Sequence, residues 1–148
     1  MPVVLKKDIR TGKKPVKLSN GARIYEYSHI VKGATIGPNV MIGQNCYVGA
    51  KARIGENTRV QNGNNIWDGV NILFDCFIGP CCNFTNDHDP SDRQNHRIDK
   101  TMVMPGATLS TNVTVIAPCV IGSKAMIGAG SVVLRNIKPG ERVKWLVK

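Results

Sequence analysis

Every sixth residue along most of this chain is large and apolar. Leu18, Ile24, Ile30, Ile36, Ile42, Val48, Ile54, Val60, Ile66, Ile72, Ile78 and Phe84 hold twelve consecutive positions of that spacing. The period resumes at Val103, Leu109, Val115, Ile121, Ile127 and Val133, displaced by one residue because 84 to 103 spans nineteen rather than eighteen. A helix repeats its faces every 3.6 residues and a strand every two, so neither alone sustains a period of six. One short strand plus one turn per hexad does, and three hexads then close a coil. Anchors eighteen apart stack into ladders: Ile30, Val48, Ile66 and Phe84 on one wall, Ile36, Ile54 and Ile72 on the next, Ile42, Val60 and Ile78 on the third. The spacing predicts a three-walled prism with a dry aliphatic centre.

Hexapeptide repeats signal parallel β-helices, so the fold expected is all-β. The fourth residue after each anchor is usually small or β-branched, as at Ala22, Ser28, Ala34, Ala52, Thr58, Ala107 and Ala125. Cys46, Cys76, Cys82 and Cys119 occupy that same slot, which reads them as reduced core thiols; Cys81 is out of phase. Gly directly follows the anchor at Gly37, Gly43, Gly49, Gly55, Gly79, Gly122 and Gly128, where a turn between short strands favours a residue without Cβ.

The 148 residues suit one domain, 1–148, with the helix over about 18–134 and a C-terminal tail over 135–148. With 42% hydrophobic and 20% charged residues the composition is that of a globular protein. No apolar run has the length of a membrane span, and MPVVLKKDIR lacks the pattern of a signal peptide, so the expectation is a cytoplasmic protein with no membrane partner. The net charge of +10 sits at the ends, with residues 24–134 carrying eight charges of each sign. That distribution argues against a nucleic-acid partner; the basic ends read either as attractors of phosphates or as solvated tails.

Two stretches leave the rhythm. Residues 86–100, NDHDPSDRQNHRIDK, carry no anchor and are strongly polar; inserted loops of this length are often functional. After Val133, NIKPG suggests a turn and ERVKWLVK a strand or short helix. Tyr25, Tyr47, Trp67 and Phe77 fall at outward positions, which suggests a face covered by another subunit or by a ligand.

The runs GARIYEYSHIVKGATIG (21–37), IGQNCYVGAKARIGENTRVQN (42–62), WDGV (67–70), IGPCCNFTND (78–87), GATLSTNVTV (106–115) and IGAGSVV (127–133) resemble the N-acetyltransferases that acylate nucleotide-linked 3-amino sugars. FTND with WDG eighteen residues earlier is the narrower part of the likeness. The resemblance implies a left-handed parallel β-helix, a homotrimer, acetyl-CoA in the groove between adjacent prisms, and a UDP- or dTDP-linked amino sugar near the inserted loop, in surface polysaccharide (O-antigen) biosynthesis. In that family the Asn of FTN positions the sugar amine; here it is Asn86, which cannot take a proton and so orients by hydrogen bonding. His88, two residues on, has the titration range of a proton acceptor. Substrate contacts are expected from His29, Gln61, Asn62, Trp67, Asp68 and Asp87. For the cofactor, Ala117 and the turn Gly128, Ala129 and Gly130 are expected to offer backbone amides to the pantetheine arm. Lys124, Arg135 and Lys138 are candidates to pair with phosphate. The three histidines have no metal-ligand spacing, and no metal is expected. Met104 and Pro105 replace the basic residue common before the GAT turn, and KPGERVKWLVK replaces the usual Gly-Asn-Pro-Ala closure. Two alternatives remain: an O-acetyltransferase of the same superfamily, which requires a histidine base, and a non-catalytic β-helical scaffold.

Overall fold

A computed structural model describes residues 1–87 and 89–144. Among these the elements are strands of two or three residues, with no helix. They stack into three walls, each named here for one anchor. The Ile30 wall carries His29–Ile30, Tyr47–Val48, Asn65–Ile66, Asn83–Phe84, Thr114–Val115 and Val132–Val133. The Ile36 wall carries Thr35–Ile36, Arg53–Ile54, Val70–Ile72, Thr101–Val103 and Cys119–Ile121. The Ile42 wall runs from Arg23–Ile24 and Met41–Ile42 through Arg59–Val60, Phe77–Ile78 and Thr108–Leu109 to Met126–Ile127 and Arg142–Val143. Each of these strands is parallel to its wall neighbours, with anchor opposite anchor, as Ile30 opposite Val48. The expected ladders are the observed ones, and the solenoid is all-β.

The anchors fill the centre. Ile24, Ile30, Ile36, Ile42, Ile66, Ile78 and Ile127 are fully buried, and Phe84 nearly so. Each such burial is worth about 1.5–3 kcal/mol, against the entropy of ordering the chain. The slot after each turn does more than admit small side chains. Ser28 Oγ donates to Gly43 O at 2.8 Å, Thr58 Oγ1 to Leu73 O at 2.7 Å and Asn64 Nδ2 to Gly79 O at 2.9 Å. The Cys46, Cys76 and Cys82 thiols point at the carbonyls of Gln61, Met104 and Ser110 at 3.2, 3.2 and 3.0 Å. Each acceptor belongs to the residue just after the anchor of the next coil, whose carbonyl would otherwise face an apolar interior; the slot is therefore a donor position. Cys81 instead takes a turn position with positive φ and is exposed.

The glycines after the anchors are required by stacking rather than by their own turn. At Gly37 a Cβ would lie 2.5 Å from the Glu56 amide nitrogen, and at Gly122 it would lie 2.4 Å from Pro139 N. Neither has positive φ. Coils at the spacing of adjacent strands, roughly 4.8 Å, leave no room for a side chain there.

Both ends depart from expectation. Residues 1–17 are not a solvated tail: Val3–Val4, Ile9–Arg10 and Val16–Lys17 lie antiparallel on the first strand of each wall, with Val3 opposite Ile36, Ile9 opposite Ile30 and Val16 opposite Ile24. This backward-running coil covers the edge of all three walls, which would otherwise present unpaired backbone groups. Leu18 is consequently not a strand anchor; it begins the reversal, its N–H bonded to Ala22 O at 2.8 Å. At the other end the hexad rule persists beyond Val133 with a shift in phase. Ile137 stacks on Ile121, Gly140 takes positive φ, and Val143 stacks on Ile127. The segment read as a tail thus holds one more hexad through Val143; residues 145–148 lie outside the described residues.

Candidate functional site

The inserted segment leaves the Ile30 wall after Phe84 and rejoins the Ile36 wall at Thr101. It is locally ordered. Asp87 bridges to Ile98 in antiparallel fashion, and Asp99 N–H donates to Asn86 O at 2.9 Å, so the two ends of the excursion are tied together. Between them Asp87, Asp89 and Asp92 accept backbone N–H groups of Asp89, Ser91, Gln94 and Asn95 at 3.0–3.1 Å, forming successive Asx turns. The return strand presses on the corner between the Ile30 and Ile36 walls. A Cβ on Gly69, whose φ is +89°, would meet Ile98 Cγ2 at 2.6 Å and Asp99 O at 3.0 Å, so only glycine lets the segment lie there.

That corner gathers Trp67, Asp68, Asn86 and Asp87. Asn86 is half-buried and donates from Nδ2 to the Asp68 carbonyl at 3.0 Å. A carbonyl can only accept, so the amide nitrogen must face it and Oδ1 must face away, where no partner occupies it among the described residues. Asp68 Oδ1 accepts Lys51 N–H at 3.0 Å. Asp87 Oδ2 holds His96 Nδ1 at 3.0 Å, which leaves the other ring nitrogen turned outward. The Trp67 and Tyr47 rings lie 5.0 Å apart, tilted by 46°, and Tyr47 meets His29 edge-on at 5.6 Å. His29 in turn bonds Asp8 Oδ2 at 2.9 Å. Hydrogen bonds from Lys32 N–H and the His29 ring hold the Asp8 carboxyl below its ordinary pKa. His29 stands three coils from Asn83 along the Ile30 wall, about 14 Å at roughly 4.8 Å per coil. His88 lies outside the described residues.

The other expected contacts fall elsewhere. Gln61 and Asn62 sit on the corner between the Ile42 and Ile30 walls, where they line a recess with Tyr25 and Gln44. They do not share the corner of Asp68. The outward aromatics divide likewise, Tyr47 and Trp67 on the Ile30 wall and Tyr25 and Phe77 on the Ile42 wall. Gly128, Ala129 and Gly130 lie on the same corner as Gln61, one wall away from Asn86.

Coil stacking removes most of the amides expected for the pantetheine arm. Ala117 N–H donates to Thr85 Oγ1 at 2.9 Å, Gly128 N–H to Val143 O at 2.8 Å and Gly130 N–H to Thr111 O at 2.9 Å. Only Ala129 in that set keeps an uncommitted N–H among the described residues. Arg135 is likewise engaged: both of its terminal nitrogens reach Glu141, at 2.6 and 3.2 Å. That pairing lowers the Glu141 carboxyl to about 2. Lys124 and Lys138 lie on the remaining corner, between the Ile36 and Ile42 walls. A cleft of about 310 Å³ lined by Met126, Gly128, Arg142, Val143 and Lys144 opens beside Ala129.

Sequence reasoning missed the residues that line the cleft under the inserted segment: Lys51, Arg53, Asn71, Ile98 and Lys100. One signal was available. Thr35, Arg53 and Asn71 each precede an anchor of one ladder, so they form an outward polar row beside the point where the rhythm breaks. Asp8 was missed because it lies outside the periodic region. Among the described residues no group of three or more His, Cys, Asp and Glu side chains is placed to hold a metal ion. No described helix is long and apolar enough to cross a membrane.

Residues 15–50 match the family described as bacterial transferase hexapeptide (six repeats). A comparison with curated protein sequences finds no match. Among solved structures, a histidine-to-alanine mutant of GDP-perosamine N-acetyltransferase from Caulobacter crescentus, in complex with CoA and GDP-perosamine, matches with a TM-score of 0.72 at 18% identity. The match covers 84% of this chain and 53% of that one. A hexapeptide-repeat acetyltransferase of Vibrio cholerae O1 biovar eltor, complexed with acetyl coenzyme A, matches with a TM-score of 0.60 at 20% identity, over 76% of this chain and 66% of that one. The likeness is one of fold, and the chain spans about half the length of the Caulobacter protein.

Proposed function

We propose that this chain is an acetyl-CoA-dependent N-acetyltransferase acting on the 3-amino group of a UDP- or dTDP-linked amino sugar, in surface polysaccharide (O-antigen) biosynthesis. The observation that carries the reading is Asn86, whose amide is locked by the Asp68 carbonyl with Oδ1 presented outward at the foot of the inserted segment. Oδ1 accepts one N–H of a neutral sugar amine and so aims the nitrogen lone pair. The amine attacks the thioester carbonyl; the new C–N bond forms, the tetrahedral oxyanion collapses, and the C–S bond breaks. The ammonium proton leaves to solvent or to the departing thiolate, giving the amide and coenzyme A. Asn86 contributes orientation, the entropic part of the barrier. The structural relatives crystallised with CoA and GDP-perosamine, or with acetyl-CoA, support the chemistry at the level of a shared fold.

Acetyl-CoA supplies the activated acyl group. The groove beside Ala129, with Lys124 and Lys138 as candidate phosphate partners, suits a pantetheine arm less well than the sequence implies, because Ala117, Gly128 and Gly130 have spent their amides. In one copy the corners of Asn86 and Ala129 are separated by a wall. A site that uses both therefore draws them from neighbouring copies, which supports a homotrimer.

The Asp87–His96 pair favours one second reading, an O-acetyltransferase in which the outward ring nitrogen of His96 takes a hydroxyl proton. A thiol-release assay with acetyl-CoA over matched amino and hydroxy sugar nucleotides tests both. Turnover of amino sugars alone, retained in His96→Asn, supports the first; turnover of hydroxy sugars lost in His96→Asn replaces it with the second.

A further inference from the structure

A cleft of about 630 Å³ lies on the outer face of the Ile36 wall, beneath the returning strand of the inserted segment. Thr35, Arg53 and Asn71 form its floor in register, Lys51 its corner rim, and Ile98 and Lys100 its far side. The volume is that of a site for a small organic ligand. Among the described residues three cations line it and no carboxylate does. Lys51, Arg53 and Lys100 have no ion-pair partner among the described residues. Of the neighbouring acids, Asp99 pairs with Arg97 at 2.9 Å, and Asp68 keeps its charge, since the Lys51 backbone N–H that Oδ1 accepts is neutral. Like charges held together in excess of counter-charge repel one another, and concave walls concentrate their field. An anion placed among them relieves that repulsion.

We propose that this cleft binds a diphosphate group. Arg53 grips two oxygens through its planar fork, Lys51 and Lys100 close on the flanks, and Thr35 and Asn71 add neutral hydrogen bonds. The inference rests on the transferase reading for the ligand's identity, a nucleoside diphosphate ester. The geometry agrees, since Gly69 lines the cleft and its neighbour Asp68 holds Asn86. A sugar leaving the diphosphate towards that corner brings its amine to Asn86. The diphosphate of coenzyme A offers the same chemistry, so the test separates the two sources.

Inorganic pyrophosphate, UDP, dTDP and coenzyme A are titrated calorimetrically into the full chain, into Arg53→Gln and Lys100→Gln, and into Lys14→Gln, an exposed cation away from the cleft. Each cleft variant is expected to weaken pyrophosphate, and either the nucleotides or coenzyme A, by about tenfold or more. Lys14→Gln leaves both unchanged, and thermal unfolding confirms that the variants fold. Loss confined to UDP and dTDP assigns the cleft to the sugar nucleotide, and loss confined to coenzyme A assigns it to the acyl donor. The proposal is overturned if the wild type binds none of the four, or if both cleft variants bind as tightly as it does. Diphosphate binding without thiol release from any amino-sugar nucleotide would remove the transferase reading and leave the cleft assignment standing. Thiol release at wild-type KM in Arg53→Gln would do the reverse.

Discussion

Gly69→Ala probes the contact between the prism and its inserted segment. The added methyl sits 2.6 Å from Ile98 Cγ2 and 3.0 Å from Asp99 O, so the segment must move by about 1 Å to restore ordinary carbon contacts of roughly 3.5–4.0 Å. Two hydrogen bonds depend on its position: Asp99 N–H to Asn86 O at 2.9 Å and Thr101 N–H to Gly69 O at 3.2 Å. Each is worth about 1 kcal/mol net. The φ of +89° adds about 1–2 kcal/mol of backbone strain for a residue with a Cβ. The sum is a loss of about 3–4 kcal/mol. Gly33→Ala is the internal control. Its φ is +97° and its Cβ would meet Ala50 O at 2.9 Å, the atoms nearest to it all belonging to Ala50. Urea unfolding of both variants, with hydrogen exchange at the Asp99 and Thr101 amides, isolates the segment's share at about 2 kcal/mol. If both variants lose equal stability and those two amides stay protected in Gly69→Ala, the segment is not held by this corner.

Asn86→Ala removes the outward Oδ1 and leaves the Asp68 carbonyl without its donor; kcat/KM in the thiol-release assay should fall by about 1.4 kcal/mol or more, a tenfold loss. Unchanged turnover removes Asn86 from the reaction. Burial pushes the Cys82 thiol up to about 11 and raises those of Cys46, Cys76 and Cys119. At pH 8 a thiol reagent should therefore label the exposed Cys81 first and the other four only as the chain unfolds; fast labelling of more than one cysteine by mass spectrometry contradicts this. The folded Glu141 carboxyl, lowered to about 2 chiefly by its hydrogen bond to Arg135, stabilises the last hexad fully above pH 4.5 and loses that contribution as pH falls towards 2. The protection factors of the Ile137–Val143 amides should fall over that interval, and in Glu141→Gln should be low at pH 7 already.

Periodicity made the walls legible because each inward anchor faces the same environment as the anchors eighteen residues away, so one requirement repeats along the chain. Asn86 and Asp68 were legible for the same reason: they are one coil apart and therefore adjacent. Their corner could be named from residue numbers alone. Gln61 and Ala129 could not be assigned to Asn86's side by such counting, since six residues also carry the chain to the next wall.

What composition and spacing settled was the prism, its three ladders, the inward thiols and the place of the inserted segment, all consequences of short-range backbone geometry repeated many times. The direction of the first seventeen residues, the extra hexad after Ile137, the spent amides of Ala117 and Gly128, and the meeting of Lys51, Arg53 and Lys100 came from the folded chain. These features depend on which backbone groups find partners across coils and where an aperiodic segment returns. Such pairings are set by contacts between residues far apart in sequence, where no local pattern records them.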